Sequence, residues 1–205
     1  MTPRPRTALV IGGTGRIGRA VVAALAAEGY DVAVHCHAAL PAARALAAAL
    51  GTPSLAVTAD LREEGALRAL VHRVADHFGR LDAVALCARR RVATPLDEAT
   101  AADLRLHFDV NVAGGFVVAQ EAAAVMAGQE TGGTIVFVTD PPDLPALPGD
   151  AAHRASRAAV SGLAGALAAE VAARHARVRV ARVEAGPDPA AAAAAVVAAV
   201  TAGGA

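Results

Sequence analysis

Residues 7–18 read TALVIGGTGRIG, an apolar run followed by closely spaced glycines. The apolar run predicts a buried strand at residues 7–11, and the spacing after the glycines predicts a helix at residues 16–28 that stops at Gly29. Glycines in such a turn let the backbone approach a pyrophosphate, while the helix N-terminus supplies N–H donors. The alternative is a tight turn that binds no ligand. The glycine turn lies at the start of an alternating pattern of strands and helices, and this position favours a binding turn.

The rest of the chain alternates short strand-like runs with longer helical runs. Further strands are predicted at residues 31–35, 55–59, 82–86, 134–139 and 178–183. Helices are predicted at residues 41–50, 63–78, 101–126, 151–175 and 190–201, and the proline-rich residues 141–148 predict a loop. This alternation indicates an α/β fold of the Rossmann type, a doubly wound parallel sheet with helices on both faces. No repeat or linker interrupts it, so residues 1–205 are expected to form one domain.

Composition argues against several classes of partner. The 205 residues carry 19 basic and 19 acidic side chains, so no excess of positive charge points to a nucleic acid or an anionic membrane. The longest apolar run, residues 190–200, is too short to span a bilayer, and no signal peptide is visible. Cys36 and Cys87 lie in strand-like segments and suggest no disulfide. We therefore expect a soluble cytoplasmic protein.

The glycine turn resembles the T-G-x-x-x-G-x-G cofactor turn of the short-chain dehydrogenase/reductase family. Ile11 replaces the family's Thr and Arg16 replaces its middle Gly. The resemblance extends over nearly the whole chain as far as Pro187. It implies that a nicotinamide dinucleotide binds at the turn, on Gly12, Thr14, Arg16, Ile17 and Gly18.

The pteridine reductase branch of the family offers the nearest pattern. Arg16, followed by Ile17 and Gly18, is similar to the R-R-[IL]-G of that branch. The branch also carries H-Y-H-R-S at the end of the second strand, where this chain reads HCHAA at residues 35–39. His35 and His37 match, whereas the Arg and Ser that would hold a 2′-phosphate are alanines.

The same strand end bears on the choice of cofactor. No acidic residue stands there to accept a ribose 2′-hydroxyl, as NAD(H) binding would favour. Arg16, His35 and His37 would attract a 2′-phosphate, so NADP(H) is favoured over NAD(H), with no bound cofactor as the other possibility. The two histidines would otherwise mark a solvent-exposed strand end. A metal site is disfavoured because alternate residues of a strand point to opposite faces.

Three further segments correspond to the family's cofactor crevice. Asp60 begins a D-L pair similar to the one that contacts adenine, although an acid favoured by a helix N-terminus explains it equally well. Residues 86–89, Leu-Cys-Ala-Arg, stand where the family has N-N-A-G and keep only the alanine, so the first two are expected to pack in the core. Gly186 and Pro187 keep the pair that borders the nicotinamide in the family.

The resemblance places four residues at the family's catalytic positions. Asn111 matches the helix Asn that holds a helix irregularity and a water of the proton relay. Asp140 takes the place of the catalytic Ser, as it does in pteridine reductases. His153 and Arg157 replace the Tyr and the Lys at the usual interval.

Histidine can donate a proton near neutral pH, since its unperturbed pKa is about 6.5. His153 and Arg157 share one helix face because they are four residues apart. Arg157 would favour neutral His153, whereas Asp140 would favour the imidazolium. Pairing of Asp140 with His153 would permit catalysis, and pairing with Arg157 would make a structural ion pair. The sequence leaves both open.

The C-terminal part departs from the family most. The resemblance implies a substrate-covering lid and a seventh strand after Pro187, and neither is recognisable, so six strands are expected, with the sixth at an edge. The long helices around Asn111 and after Asp140 form the family's main dimer, which implies a homodimer or heteromer here. Two functions remain open: an NADP(H)-dependent reductase of a carbonyl or pterin-like compound, or a noncatalytic subunit with a dimerising or regulatory role.

Overall fold

A computed structural model describes residues 5–141, 143–145 and 147–202. Six parallel strands form one sheet in the order β3-β2-β1-β4-β5-β6, which confirms the predicted Rossmann-type class. The strands are β1 Thr7–Ile11, β2 Asp31–Cys36, β3 Ser54–Thr58, β4 Ala83–Leu86, β5 Gly133–Thr139 and β6 Val178–Glu184. Two positions of the predicted loop 141–148, residues 142 and 146, and both ends of the predicted domain 1–205 lie outside the described residues.

The helices also follow the sequence prediction closely. They are α1 Arg16–Ala27, α2 Leu40–Ala48, α3 Glu64–Phe78, α4 Ala101–Phe108, α5 Gly114–Ala127, α6 Ala151–Arg174 and α7 Pro189–Thr201. The predicted helix 101–126 is interrupted by a π-helical turn, Asp109–Ala113, between α4 and α5. The irregularity expected around Asn111 is therefore present.

The core consists of two apolar layers, one on each face of the sheet. Alternate residues of a strand enter different layers: Leu9 and Ile11 pack beneath α3, α5 and α6, whereas Ala8 and Val10 pack beneath α1, α2 and α7. Because both faces are covered, the inner strands carry apolar residues on both faces, and every residue of β1 is buried. This burial fixes the strand ends that carry the site.

Strand β6 is an outer strand of the sheet, as predicted. Its alternate residues still face the two core layers, with Val178 in one and Val183 in the other. Arg179 donates a hydrogen bond to the Ala199 carbonyl at 2.8 Å and so joins the strand to α7. Among the described residues no strand pairs with its outer edge.

One helical stretch, Ala101–Ala127, is long and apolar enough to cross a membrane when only length and composition are considered. Half of its most apolar window is buried inside the fold, as in the core helix of a globular protein. The stretch begins with a capping box in which Thr100 Oγ1 accepts from the Asp103 backbone N–H and Asp103 accepts from the Thr100 N–H.

Candidate active site

A crevice of about 600 Å³ opens at the carboxyl ends of the strands. It lies beside β1 and β4, the point at which the strand order reverses and ligands of such sheets usually bind. The glycine turn forms one wall, and the segments after β2, β3 and β4 form the others. Eight of the predicted cofactor residues line it: Gly12, Thr14, Arg16, Ile17, Gly18, His35, His37 and Asp60.

The glycine turn is closely packed against the neighbouring strand. Gly12 has a φ of +76°, and a Cβ there would lie 2.6 Å from the Cα of Ala88. A Cβ at Gly18 would overlap the carbonyl oxygen of Gly12. Glycine at both positions therefore follows from the backbone itself, before any ligand is considered.

Helix α1 begins beside the crevice without a side-chain cap. Its N-cap residue is Gly15, and no acidic residue lies in its first turn. The first N–H groups of a helix have no intrahelical acceptor, and the N-terminal end carries partial positive charge. The turn therefore fits the phosphates of a dinucleotide, in agreement with the prediction.

His35 is buried, with 1% of its surface exposed. Its Nδ1 accepts from the Gly12 N–H at 3.1 Å, and its Nε2 donates to the Ala59 carbonyl at 3.1 Å. Burial lowers the pKa of His35 to about 4, so the ring is neutral near pH 7. His35 is thus neither a solvent-exposed residue nor a source of positive charge for a 2′-phosphate; it positions the glycine turn.

His37 and Asp60 meet at the mouth of the crevice. His37 Nε2 lies 3.5 Å from Asp60 Oδ2, and its side chain is 67% exposed. Arg62 forms a closer pair with the same carboxylate, and hydrogen bonds from Arg62 lower the pKa of Asp60 to about 2. The carboxylate of Asp60 is thus already paired within the protein. Its contact with an adenine base stays a prediction.

Arg16 and Gly186 are joined indirectly. Arg16 Nη1 donates to the carbonyl of Pro187, the residue after Gly186, and this ties the start of α1 to the segment between β6 and α7. A Cβ at Gly186 would meet nothing within 4 Å. Packing therefore does not demand a glycine at this position, and the place of Gly186 beside the nicotinamide stays a prediction.

Asp140 contacts three basic side chains at once. The distances are 3.2 Å from Oδ2 to His153 Nε2, 3.4 Å from Oδ2 to Arg157 Nε and 3.2 Å from Oδ1 to Arg89 Nη1. Burial raises the pKa of Asp140, but His153 and the charges of Arg157 and Arg89 outweigh it and hold the pKa at about 2. The two pairings left open by the sequence are therefore both present.

His153 is enclosed by acceptors. Its ring is 3% exposed, with Nδ1 3.0 Å from the Arg90 carbonyl oxygen and Nε2 facing Asp140. Both partners are oxygens that only accept, and the contact with the Arg90 carbonyl is a hydrogen bond, whereas Asp140 Oδ2 has no aligned hydrogen bond within the described residues. No ring nitrogen of His153 is left to contact a substrate directly.

Arg157 is buried and does not line the large crevice. It donates to the Val138 carbonyl through Nη2, and desolvation by burial lowers its pKa. Its Nε and Asp140 Oδ2 have no aligned hydrogen bond, although 3.4 Å separates them. We attribute the contact to charge alone. A second cavity, of about 340 Å³, is lined by both residues.

Comparison with known proteins settles the family. The model of the short chain dehydrogenase family matches residues 6–198 of the chain. The chain belongs to the short-chain dehydrogenase family. Its membership and its fold are thereby established.

Curated relatives of this short-chain dehydrogenase are longer proteins. A short-chain dehydrogenase of Aspergillus ruber, fogB, is 33% identical over 139 residues, which are 60% of this chain and 48% of that protein. A putative ketoacyl reductase of the granaticin polyketide synthase of Streptomyces violaceoruber is 40% identical over 100 residues, 49% of this chain and 40% of the relative. The chain spans about half the length of the curated relatives it matches.

Solved structures match over more of the molecule. A short-chain dehydrogenase/reductase of Serratia marcescens superposes with a TM-score of 0.85 at 28% identity, covering 98% of this chain and 94% of that one. A Burkholderia cenocepacia short-chain dehydrogenase, solved in complex with NADP, gives a TM-score of 0.79 at 34% identity, covering 87% of this chain and 73% of that one.

The predicted catalytic residues are gathered around residues 89–91, of which the sequence pattern marks only Arg89, as a departure from the family's N-N-A-G. Asn111 accepts from the Arg90 N–H at 2.5 Å and donates to the Arg90 carbonyl at 3.1 Å. It also donates to Ser156 Oγ at 2.8 Å, and Ser156 donates to the His153 carbonyl. Three consecutive arginines after a strand were the available signal, but such a run is usually a solvated surface segment.

Proposed function

We propose that the protein is an NADP(H)-dependent reductase of a carbonyl or pterin-like small molecule. The observation that carries the proposal is the uncapped N-terminus of α1, which follows the glycine turn and opens on the crevice of about 600 Å³. Support for NADP comes from the neighbour solved with it and from the end of β2, where His37 stands and no acid does. The pteridine reductase branch remains part of the proposal.

The residues for the cofactor are assigned by their place in the crevice. The backbone of Thr14, Ile17 and Gly18 would hold the pyrophosphate, with Arg16 beside it, and Gly12, whose N–H donates to His35, would let the backbone approach it closely. His37 would face the 2′-phosphate. When bound, the reduced nicotinamide supplies a hydride to the carbonyl carbon of the substrate.

The carbonyl oxygen then needs one proton to become the alcohol. His153 holds that proton at Nε2, 3.2 Å from Asp140, and Asp140 passes it on, so the two act in series. Arg89, which lines the crevice and contacts Asp140, lies on this route and has to turn aside. Arg157 keeps Asp140 ionised between turnovers, Asn111 holds the Arg90 backbone, and solvent reprotonates His153.

Assembly and location complete the proposal. We expect a homodimer or heteromer through the helices after Asn111 and Asp140, in the cytoplasm, with no nucleic acid or membrane as partner. The noncatalytic alternative gains no support from the relatives, which are named as dehydrogenases and reductases.

Calorimetric titration with NADPH and NADH tests the proposal. We expect NADPH to bind more tightly by about tenfold, or about 1.4 kcal/mol. His37→Gln is expected to remove that preference, whereas His77→Gln on the exposed part of α3 leaves it intact. Binding of neither nucleotide would contradict the proposal. NADPH oxidation with a panel of carbonyl compounds and pterins, abolished in His153→Ala, would then establish turnover.

A further inference from the structure

We propose that the substrate carries a carboxylate group and that Arg90, with Arg89 beside it, binds this group in the crevice. The inference rests on the proposed reductase function, because the bound molecule is taken to be its carbonyl substrate. Beyond that function, it specifies the charge of the substrate and the residues that recognise this charge.

The three arginines after β4 all line the crevice but differ in their partners. Arg91 gives two donors to Asp150, at 3.2 and 2.9 Å. Arg89 gives one donor to Asp140 at 3.2 Å and has others to spare. Arg90 Nε is buried and has no hydrogen-bond partner in the described part of the chain.

The backbone of Arg90 is held in place from both sides. Its N–H donates to Asn111 Oδ1, and its carbonyl accepts from Asn111 Nδ2 and from His153 Nδ1. A side chain on so fixed a backbone loses little freedom when it binds a ligand. A buried donor without an acceptor is unfavourable, so its presence beside a cavity points to an acceptor that the chain does not supply.

The acidic residues near the crevice are already engaged. Asp60 is paired with Arg62 and lies close to His37. Asp103, whose pKa is lowered first by Thr100 and more weakly by the charge of Arg90, forms the capping box of α4. The counterion of Arg90 is therefore expected on the ligand. Guanidinium groups bind carboxylates through paired, charge-assisted hydrogen bonds.

The position of Arg90 favours the substrate over the cofactor as the source of the anion. Arg16 and the uncapped start of α1 lie at the glycine turn, where the cofactor phosphates are expected. The lining of the crevice also includes the apolar residues Val92, Leu106 and Val110. This combination fits a small molecule with one carboxylate on a short apolar body.

Calorimetry with a matched pair of probes tests the assignment. The probes are 4-oxopentanoate and its methyl ester, which differ only in charge, titrated into the whole protein in the presence of saturating NADP⁺. We expect the acid to bind more tightly than the ester by about tenfold or more. Arg90→Gln is expected to abolish this ratio, and Arg90→Lys to retain part of it. Arg73→Gln, which removes an exposed charge from α3, serves as the control.

The outcomes separate this inference from the proposed function. Equal binding of acid and ester, or an unchanged ratio in Arg90→Gln, overturns the inference even if NADP⁺ binds. If Arg89→Gln and Arg90→Gln weaken NADP⁺ and leave the ratio intact, the arginines serve the cofactor and the inference also fails. Preference for the acid by the protein without nucleotide, with no binding of NADP⁺ or NADPH, would support the anion site while contradicting the reductase. Thermal melting of each variant verifies that it is folded.

Discussion

His35 joins three elements through one side chain. Its ring connects the Gly12 N–H of the glycine turn to the Ala59 carbonyl after β3, and the residue itself belongs to β2. A buried ring with a donor and an acceptor in fixed roles must stay neutral, and its low pKa reflects that requirement. The shape of the cofactor turn is therefore coupled to the protonation of a buried histidine.

This coupling predicts loss of stability in acid. The folded-state pKa of about 4 is below the ordinary value of 6.5, so the contribution is complete above pH 6.5 and falls as the pH drops toward 4. The full loss, reached below pH 4, amounts to about 3.5 kcal/mol at about 1.4 kcal/mol per pKa unit. Urea unfolding at pH 7 and pH 5 measures the part of it, about 2 kcal/mol, that is lost by pH 5. In His35→Asn, which is less stable at pH 7, this pH dependence should be smaller; an identical dependence in both proteins would contradict the prediction.

Asp140 is the single acid among Arg89, His153 and Arg157 in the described cluster. Asp140→Asn leaves Arg89 and Arg157 without their counterion, and we expect a loss of about 3–5 kcal/mol of unfolding free energy at pH 7. Because the pKa of Asp140 is depressed to about 2, the wild-type contribution is present above the ordinary value of 3.8 and is lost as the pH falls through 2. Asp143→Asn, on the exposed loop, is the control. Equal stability of the two variants would refute the prediction.

At the scale of elements, the glycine turn and helix α3 predict opposite responses to the same substitution. Gly12→Ala places a methyl group at positive φ and against the Ala88 backbone, so we expect a loss of more than about 2 kcal/mol and weaker NADPH binding. Gly65→Ala adds a methyl group in open space within α3, where alanine is favoured over glycine by about 1 kcal/mol. Chemical denaturation of both variants, with NADPH titration, makes the comparison. A stable Gly12→Ala protein would show that the turn can relax.

The bounds of the helices and strands were predictable to within one or two residues. Because both faces of the sheet are buried, each strand is a run of mostly apolar residues and each helix carries apolar residues at helical spacing. The site was less accessible. In sequence, His35 looks like a residue that attracts a 2′-phosphate or else an exposed strand end, since only the packing of β3 brings the Ala59 carbonyl to its ring. Residues 89–91 look like a solvated basic segment, because Asn111, Asp140 and Asp150 approach them only in the folded chain.

At the scale of the whole molecule, the exposed side of α5 and α6 predicts an assembly. Phe116 on α5 is 37% exposed, and small residues such as Ala155, Ala158 and Gly162 line the exposed side of α6. Small side chains let two such faces approach closely, and an aromatic residue there supplies apolar area. The surface is therefore suited to a second copy of the chain.

We expect the protein to be a dimer in solution and Phe116→Arg to shift it toward the monomer. A buried arginine would place like charges against each other across a twofold interface, which is unfavourable. Light scattering after size-exclusion chromatography reports the mass, and Leu104→Arg, a comparable exposed position on α4, is the control. A monomeric wild-type protein, or a Phe116→Arg protein that remains dimeric, would contradict the prediction.

The π-helical turn at Asp109–Ala113 also sets the rotational phase of the chain. Each residue of an α-helix advances the chain by about 100° around the axis, and a π turn accommodates one extra residue without passing that rotation on. Deleting one residue elsewhere in α4 or α5 would turn the apolar side of the following segment toward water. Within residues 109–113 the helix can be shortened by one while both flanking segments keep their facing, with the loss confined to the Asn111 contacts. The π-helical turn, whose Asn111 holds the Arg90 backbone, is thus the place where the helical stretch Ala101–Ala127 tolerates a change of length.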